Sequence, residues 1–153
     1  MQKPLSKFTL ITCIFPAIAF ATSLAGCGSA EQDLIESAQK KIAMGLKDPE
    51  SAKFDGVYVV RHDGSPSTVC GWVNAKNSFG AYIGRSRFVA DIGKLKADDS
   101  DYSLIAIEGQ FVMKNGKPLA LPGGDGTVTR LDARSFEFAF WRERCVDGAH
   151  PAT

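Results

Sequence analysis

Apolar positions along the chain fall into three patterns. From Phe8 to Ala21 (FTLITCIFPAIAFA) no charge interrupts them. Between 31 and 47 they recur at helical spacing, so that Leu34, Ile35, Ala38, Ile42 and Leu46 line one face. Glu31, Asp33 and Glu36 come early in that stretch and Lys40, Lys41 and Lys47 late, an order that suits the helix dipole. Asp48-Pro49 predicts a stop and a restart, because proline disfavours helix at the residue before it yet is welcome at a first helical position. Asp48 is therefore expected to cap a short turn over 49–52, with Phe54 entering the core. Beyond that point the pattern shortens to runs of β character.

Strands are expected at 55–62, 68–76, 80–91, 102–108 and 110–114. Turn chemistry separates them: "DGSPS" at 63–67, "KNSFG" at 76–80 as a hairpin connection, "GKLKADDSD" at 93–101, and Asn115-Gly116. Gly71 and Gly84 inside strands predict bulges or sharp coiling. "LPGGDGT" at 121–127 reads as a loop. The segment 132–145 fits two periods. Phe136, Phe138 and Phe140 alternate like a strand, while Phe136, Ala139, Phe140 and Glu143 share a helix face that Asp132 could cap. Helix is the preferred reading. One helix followed by sequential strands predicts an α+β fold: an N-terminal helix on a mainly antiparallel sheet, closed by a C-terminal helix.

The first apolar run has a different meaning. Lys3 and Lys7 precede it, small residues follow it, and it is short for a membrane-spanning helix, as in a secretory signal. Leu24-Ala25-Gly26-Cys27 resembles the lipobox of bacterial lipoproteins. That resemblance implies that the Cys27 thiol carries a diacylglyceryl thioether and that cleavage before Cys27 removes 1–26, leaving 27–153 as one mature periplasmic domain on a short tether. Two or three acyl chains would hold it firmly, at about 0.8 kcal/mol per buried methylene. In the Gram-negative members an Asp after the cysteine favours inner-membrane retention. Gly28 stands there, so the resemblance favours the outer membrane, facing the periplasm. An ordinary signal with a chance cysteine, or an uncleaved anchor, are the competing readings.

Composition changes the picture little. Losing Lys3 and Lys7 turns a net charge of +1 into −1, so nothing global points to nucleic acid. Of four cysteines, Cys13 leaves with the signal and Cys27 takes the lipid, which leaves Cys70 and Cys145. In an oxidising compartment they are expected to form a disulfide, with two buried free thiols as the other reading. No CxxC is present, so no metal or cofactor is expected.

"LKDPESAKF" (46–54) and "VCGWVNAKNSFGAYIGRSRFV" (69–89) together resemble a pattern in small exported bacterial proteins, many of them lipoproteins. The pattern has no established activity, so it implies export and a fold unit and transfers no catalytic residue.

Candidate contacts come from the residues themselves. Asn74, Lys76, Asn77, Ser78, Phe79 and Tyr82 at the hairpin tip could meet an envelope protein or peptidoglycan, or could serve the turn and the core. Arg85 and Arg87 fall on one strand face by the period of two and could take an anionic group. Arg130, Arg134, Arg142 and Arg144 cluster near the end, with Glu137 and Glu143 interleaved for ion pairing. Asp98, Asp99 and Asp101 lack the glycine and terminal glutamate of an EF-hand. "GGDG" at 123–126 lacks the Lys-Ser/Thr of a phosphate loop. No serine lies in G-x-S-x-G, neither histidine has a motif around it, and His150 sits in a tail expected to fray. The sequence therefore predicts a lipid-anchored, non-catalytic binding or assembly module, with a periplasmic inhibitor of an attacking hydrolase such as lysozyme, or an enzyme built on Asp or Glu, as rivals.

Overall fold

A computed structural model of the protein describes residues 26–63, 66–95, 97–110, 112–119 and 130–151. The expected loop at 121–127 and most of the export segment lie outside the described residues. Six strands form one antiparallel sheet in sequence order: β1 (Lys53–Val60), β2 (Ser67–Asn74), β3 (Ser86–Lys94), β4 (Asp101–Ile107), β5 (Val112–Lys114) and β6 (Lys117–Leu119). Helix α1 (Gly26–Met44) precedes them. A C-terminal helical run, α2 (133–144), follows. The fold is α+β, with a helix on each sheet face and a Cys70–Cys145 disulfide.

The period of two sorts the strands between the two helices. Val69, Val73, Phe88, Ala90, Ile92, Ile105, Ile107 and Met113 face α1, which answers with Ala38 and Ile42, joined by Leu46 just beyond its end. Val60, Cys70, Val89, Ala106 and Val112 face α2, which answers with Phe136, Phe140 and Trp141, joined by Cys145 just beyond its end. Phe54 enters the core as expected, edge-on to Phe88 with ring centres 5.8 Å apart.

Several boundaries differ from expectation. Helix α1 begins earlier, so the stretch from Cys27 to Ala30 is helical, and it ends at Met44. Gly45 follows, and a side chain there would meet the terminal methyl of Met113. The turn at Pro49–Ser51 forms, but the Asp48 side chain does not cap it. Instead Ser51 Oγ donates to the Asp48 carbonyl at 2.8 Å.

The strand irregularity lies on β1, where the register shifts between Asp55 and Tyr58, and Gly56 takes the positive φ of +55° that the bulge requires. Gly71 faces that bulge across the ladder. A Cβ on it would come within 3.1 Å of Val57 Cα and 3.2 Å of the Gly56 carbonyl. Gly84 is not in a strand, because β3 starts only at Ser86. Strand β6, which the sequence pattern does not announce, follows the Asn115-Gly116 turn.

The C-terminal segment is helical, as preferred, and Asp132 caps it, its carboxylate accepting from the backbone N–H groups of Arg134 and Ser135. Its buried face is only partly the one expected. Residues Glu137–Trp141 form a π-helical stretch in which Arg142 N–H reaches back to the Glu137 carbonyl. The widened turn brings Trp141 onto the face of Phe136 and Phe140, and leaves Ala139 and Glu143 exposed. The tail does not fray either. The Tyr58 hydroxyl donates to the Cys145 carbonyl at 2.8 Å, and the His150 ring stacks on Tyr58 at 3.8 Å. Asp147 accepts from the ring and backbone of His150.

Candidate partner-binding loop

The residues between β2 and β3 do not form the tight hairpin that the sequence suggests. Lys76 and Tyr82 make a single bridge beyond the strands. Inside it, Asn77 N–H donates to the Ala81 carbonyl at 2.9 Å and Gly80 N–H to the Asn77 carbonyl at 3.0 Å. The Asn77 side-chain oxygen accepts from Phe79 N–H at 2.9 Å and Ala81 N–H at 3.1 Å. An asparagine suits this place because its short amide can stand in for a backbone carbonyl, and Gly80 supplies a φ of +80°. The stem is pinned from the side, since Lys76 N–H donates to Ser51 Oγ at 2.9 Å.

This scaffold holds side chains outward. Residues 78–85 are all exposed. Phe79 is 94% exposed, Ile83 57% and Tyr82 41%, so three large apolar side chains of this loop meet solvent. Two cations lie over the tyrosine: Lys53 Nζ is 4.5 Å and Lys76 Nζ 5.6 Å from the Tyr82 ring centre. Arg85 pairs with Asp55 at 2.6 Å and lies over the Trp72 ring.

Of the residues singled out from the sequence, Asn77, Ser78, Phe79, Tyr82 and Arg85 belong to this loop. Asn74 does not, being inside β2 opposite Lys53. Its side-chain oxygen is buried and, among the described residues, without a hydrogen-bond partner. Arg87 is a correction. It lies in β3 opposite Trp72, and its guanidinium meets Glu108 at 3.0 and 3.1 Å and also Glu137. The same group lies over Phe136 and Trp141. These hydrogen bonds hold the Glu108 carboxyl below the usual carboxylate range against the opposing effect of burial. Arg87 thus straps the sheet to α2 and is not offered to a partner.

The C-terminal arginines also serve internal pairs. Arg144 donates to Asp91 at 3.1 Å and Arg142 lies 3.8 Å from Glu137. In the acidic loop, Asp99 meets Lys94 at 2.9 Å and Asp98 accepts from Ser100. Among the described residues no group of three or more His, Cys, Asp or Glu is arranged to hold a metal ion.

One polar chain was not foreseen. His62 Nε2 lies 2.9 Å from Thr68 Oγ1, which donates to Asp91 Oδ1 at 2.7 Å, while Arg144 holds the other carboxylate oxygen. These residues line a cleft of about 420 Å³ with Tyr102 and Glu143. A nucleophile needs a base to take its proton. Here the buried threonine hydroxyl donates its hydrogen bond to the carboxylate, so the contact with His62 is met by the tautomer whose Nε2 carries the proton, and the order is that of a structural strut. Only the fold could reveal it, since the four residues come from four separate segments. A wider groove of about 710 Å³ runs between α1 and the sheet, over Ile92, Ile105 and Met113; among the described residues Asp101 is the only carboxylate lining it.

Comparison of the chain with protein-family models, curated proteins and solved structures finds no match. No described helix is long and apolar enough to cross a membrane.

Proposed function

We propose that the protein is a non-catalytic binding module of the bacterial envelope, tied to a membrane by acyl chains on Cys27 after removal of 1–26, and that the 77–85 loop is its contact surface. The lipobox-like residues support the anchor. The observation that carries the binding role is Phe79, which is 94% exposed on a turn that its own hydrogen bonds hold in place. An aromatic left in water on an ordered loop gains by burial against a partner, and such residues dominate interface energetics.

Two measurements test this. Mass spectrometry of protein purified from membranes should find Cys27 as an acylated first residue; an unmodified thiol in a freely soluble protein would sink the anchor. Crosslinking in intact membranes should enrich the same partner with the wild type and lose it with Phe79→Ala. Equal recovery by both forms would remove the loop from the account. The projecting turn also fits an inhibitor that plugs the cleft of a hydrolase. Lysozyme inhibition by residues 28–153, exported behind an ordinary cleavable signal, separates that reading from an assembly role.

A further inference from the structure

The anchor and the loop occupy opposite ends of the same strand. Glu31 pairs with Arg61 at 3.5 Å, directly after the end of β1. Cys27 precedes Glu31 by four residues, which span about 6 Å as helix and no more than about 14 Å when fully extended. The acyl chains therefore enter the bilayer close to the Arg61 end. At the other end of β1, Lys53 lies over Tyr82 of the loop. Eight strand residues separate the two ends, roughly 25 Å at the usual rise. Helix α1 already includes Cys27 and packs on the core from Leu34 onward, so little slack chain lies between lipid and domain.

From this geometry we infer that the anchored domain presents the Phe79 turn away from its own bilayer, to a protein whose apolar hollow is rimmed by carboxylates. This rests on the acylation of Cys27. The apolar part follows from Phe79 and Ile83, which need a hollow to leave water. The acidic rim follows from charge: two ammonium groups converge on one tyrosine ring, and a carboxylate between them would relieve their repulsion. Insertion of Phe79 into the anchoring membrane is the competing use of the same residue, and the 25 Å offset opposes it.

The experiment uses the full-length lipoprotein in phospholipid vesicles that contain spin-labelled lipid. Single cysteines replacing Arg61 or Phe79 carry a fluorophore; the native thiols are held by the disulfide and the lipid. Quenching is expected at 61 and not at 79, with the mass of each labelled protein reporting acylation. Quenching at 79 equal to that at 61 in acylated protein overturns the inference alone, whereas an unmodified Cys27 overturns the anchored reading and the inference with it. A photo-crosslinker at Phe79 in living cells tests the partner. An adduct of protein mass that falls about tenfold with Lys53→Glu/Lys76→Glu is expected, as reversed charges face like charges. An adduct with lipid, an adduct indifferent to the reversal, or none at all overturns it.

Discussion

Phe79 and Arg87 show how differently two residues from one sequence stretch can behave. Phe79 touches almost nothing in its own chain, so Phe79→Ala should change folding stability by less than about 0.5 kcal/mol while abolishing partner recovery. Urea titration beside the crosslinking measurement checks both. Asn77→Ala should leave the fold intact and weaken capture, because it frees the turn without removing the aromatic. Arg87 is the reverse case. Arg87→Met leaves Glu108 and Glu137 without their cation and should cost roughly 2–4 kcal/mol, below the value for a fully buried pair because part of the site meets water. The Glu108 carboxyl is held low in the folded protein. Its contribution is therefore present above the ordinary carboxylate range near 4 and is lost as pH falls through its own lower range. Acid titration of the wild type should show this loss, and Glu108→Gln should flatten it. The period of two puts Arg85 and Arg87 on one side, and both do sit beside Trp72; the carboxylates that claim Arg87 come from Glu108 and Glu137, too distant in sequence for local pattern to pair them.

Elements were legible where their period was undisturbed. Helix α1, the β2 and β4 runs and the Asp132 cap follow from local spacing. The failures have separable causes. Strand β3 starts late because Asn77 and its neighbours satisfy their own backbone groups, which makes a ladder from Gly80 unnecessary. Of the helix face that spacing suggests, Phe136 and Phe140 are buried and Trp141 joins them because a π turn alters the spacing, and nothing in "SFEFAFW" marks that turn. Strand β6 is too short and too exposed to leave an apolar alternation. The disulfide, expected from cysteine arithmetic, forms between the middle of β2 and the end of α2. It closes a separation of 75 residues, worth about 4 kcal/mol in the chain-entropy treatment. A Cys70→Ala/Cys145→Ala variant should lose stability of that order in denaturant titration, with α2 loosening first because its remaining hold is packing and the Arg87 and Arg144 pairs.

At the scale of the molecule, the chain end is clasped to the first strand. Burial and the charge of Asp147 push the Tyr58 hydroxyl up to about 12, from an ordinary value near 10. Below the unfolded value the clasp contributes fully. As pH rises from about 10 towards 12 the unfolded chain ionises while the folded one resists, so stability falls across that window. Tyr58→Phe should remove this alkaline slope, which thermal unfolding measured from pH 9 to 12 would show. The α+β plan of the molecule could be read from the sequence. The identity of the partner could not, since an exposed aromatic tip describes only one half of a fit.

Among the described residues the sheet has two unpaired borders, and neither invites growth. One is interrupted at Gly56; the other is three residues long and contains Pro118, which has no N–H to give. Lipid attachment would crowd copies into a plane, where chance collisions between borders become frequent. Kinked on one side and blunted on the other, neighbouring copies should jostle without zippering into ribbons, and each Phe79 should stay available for the contact proposed for it.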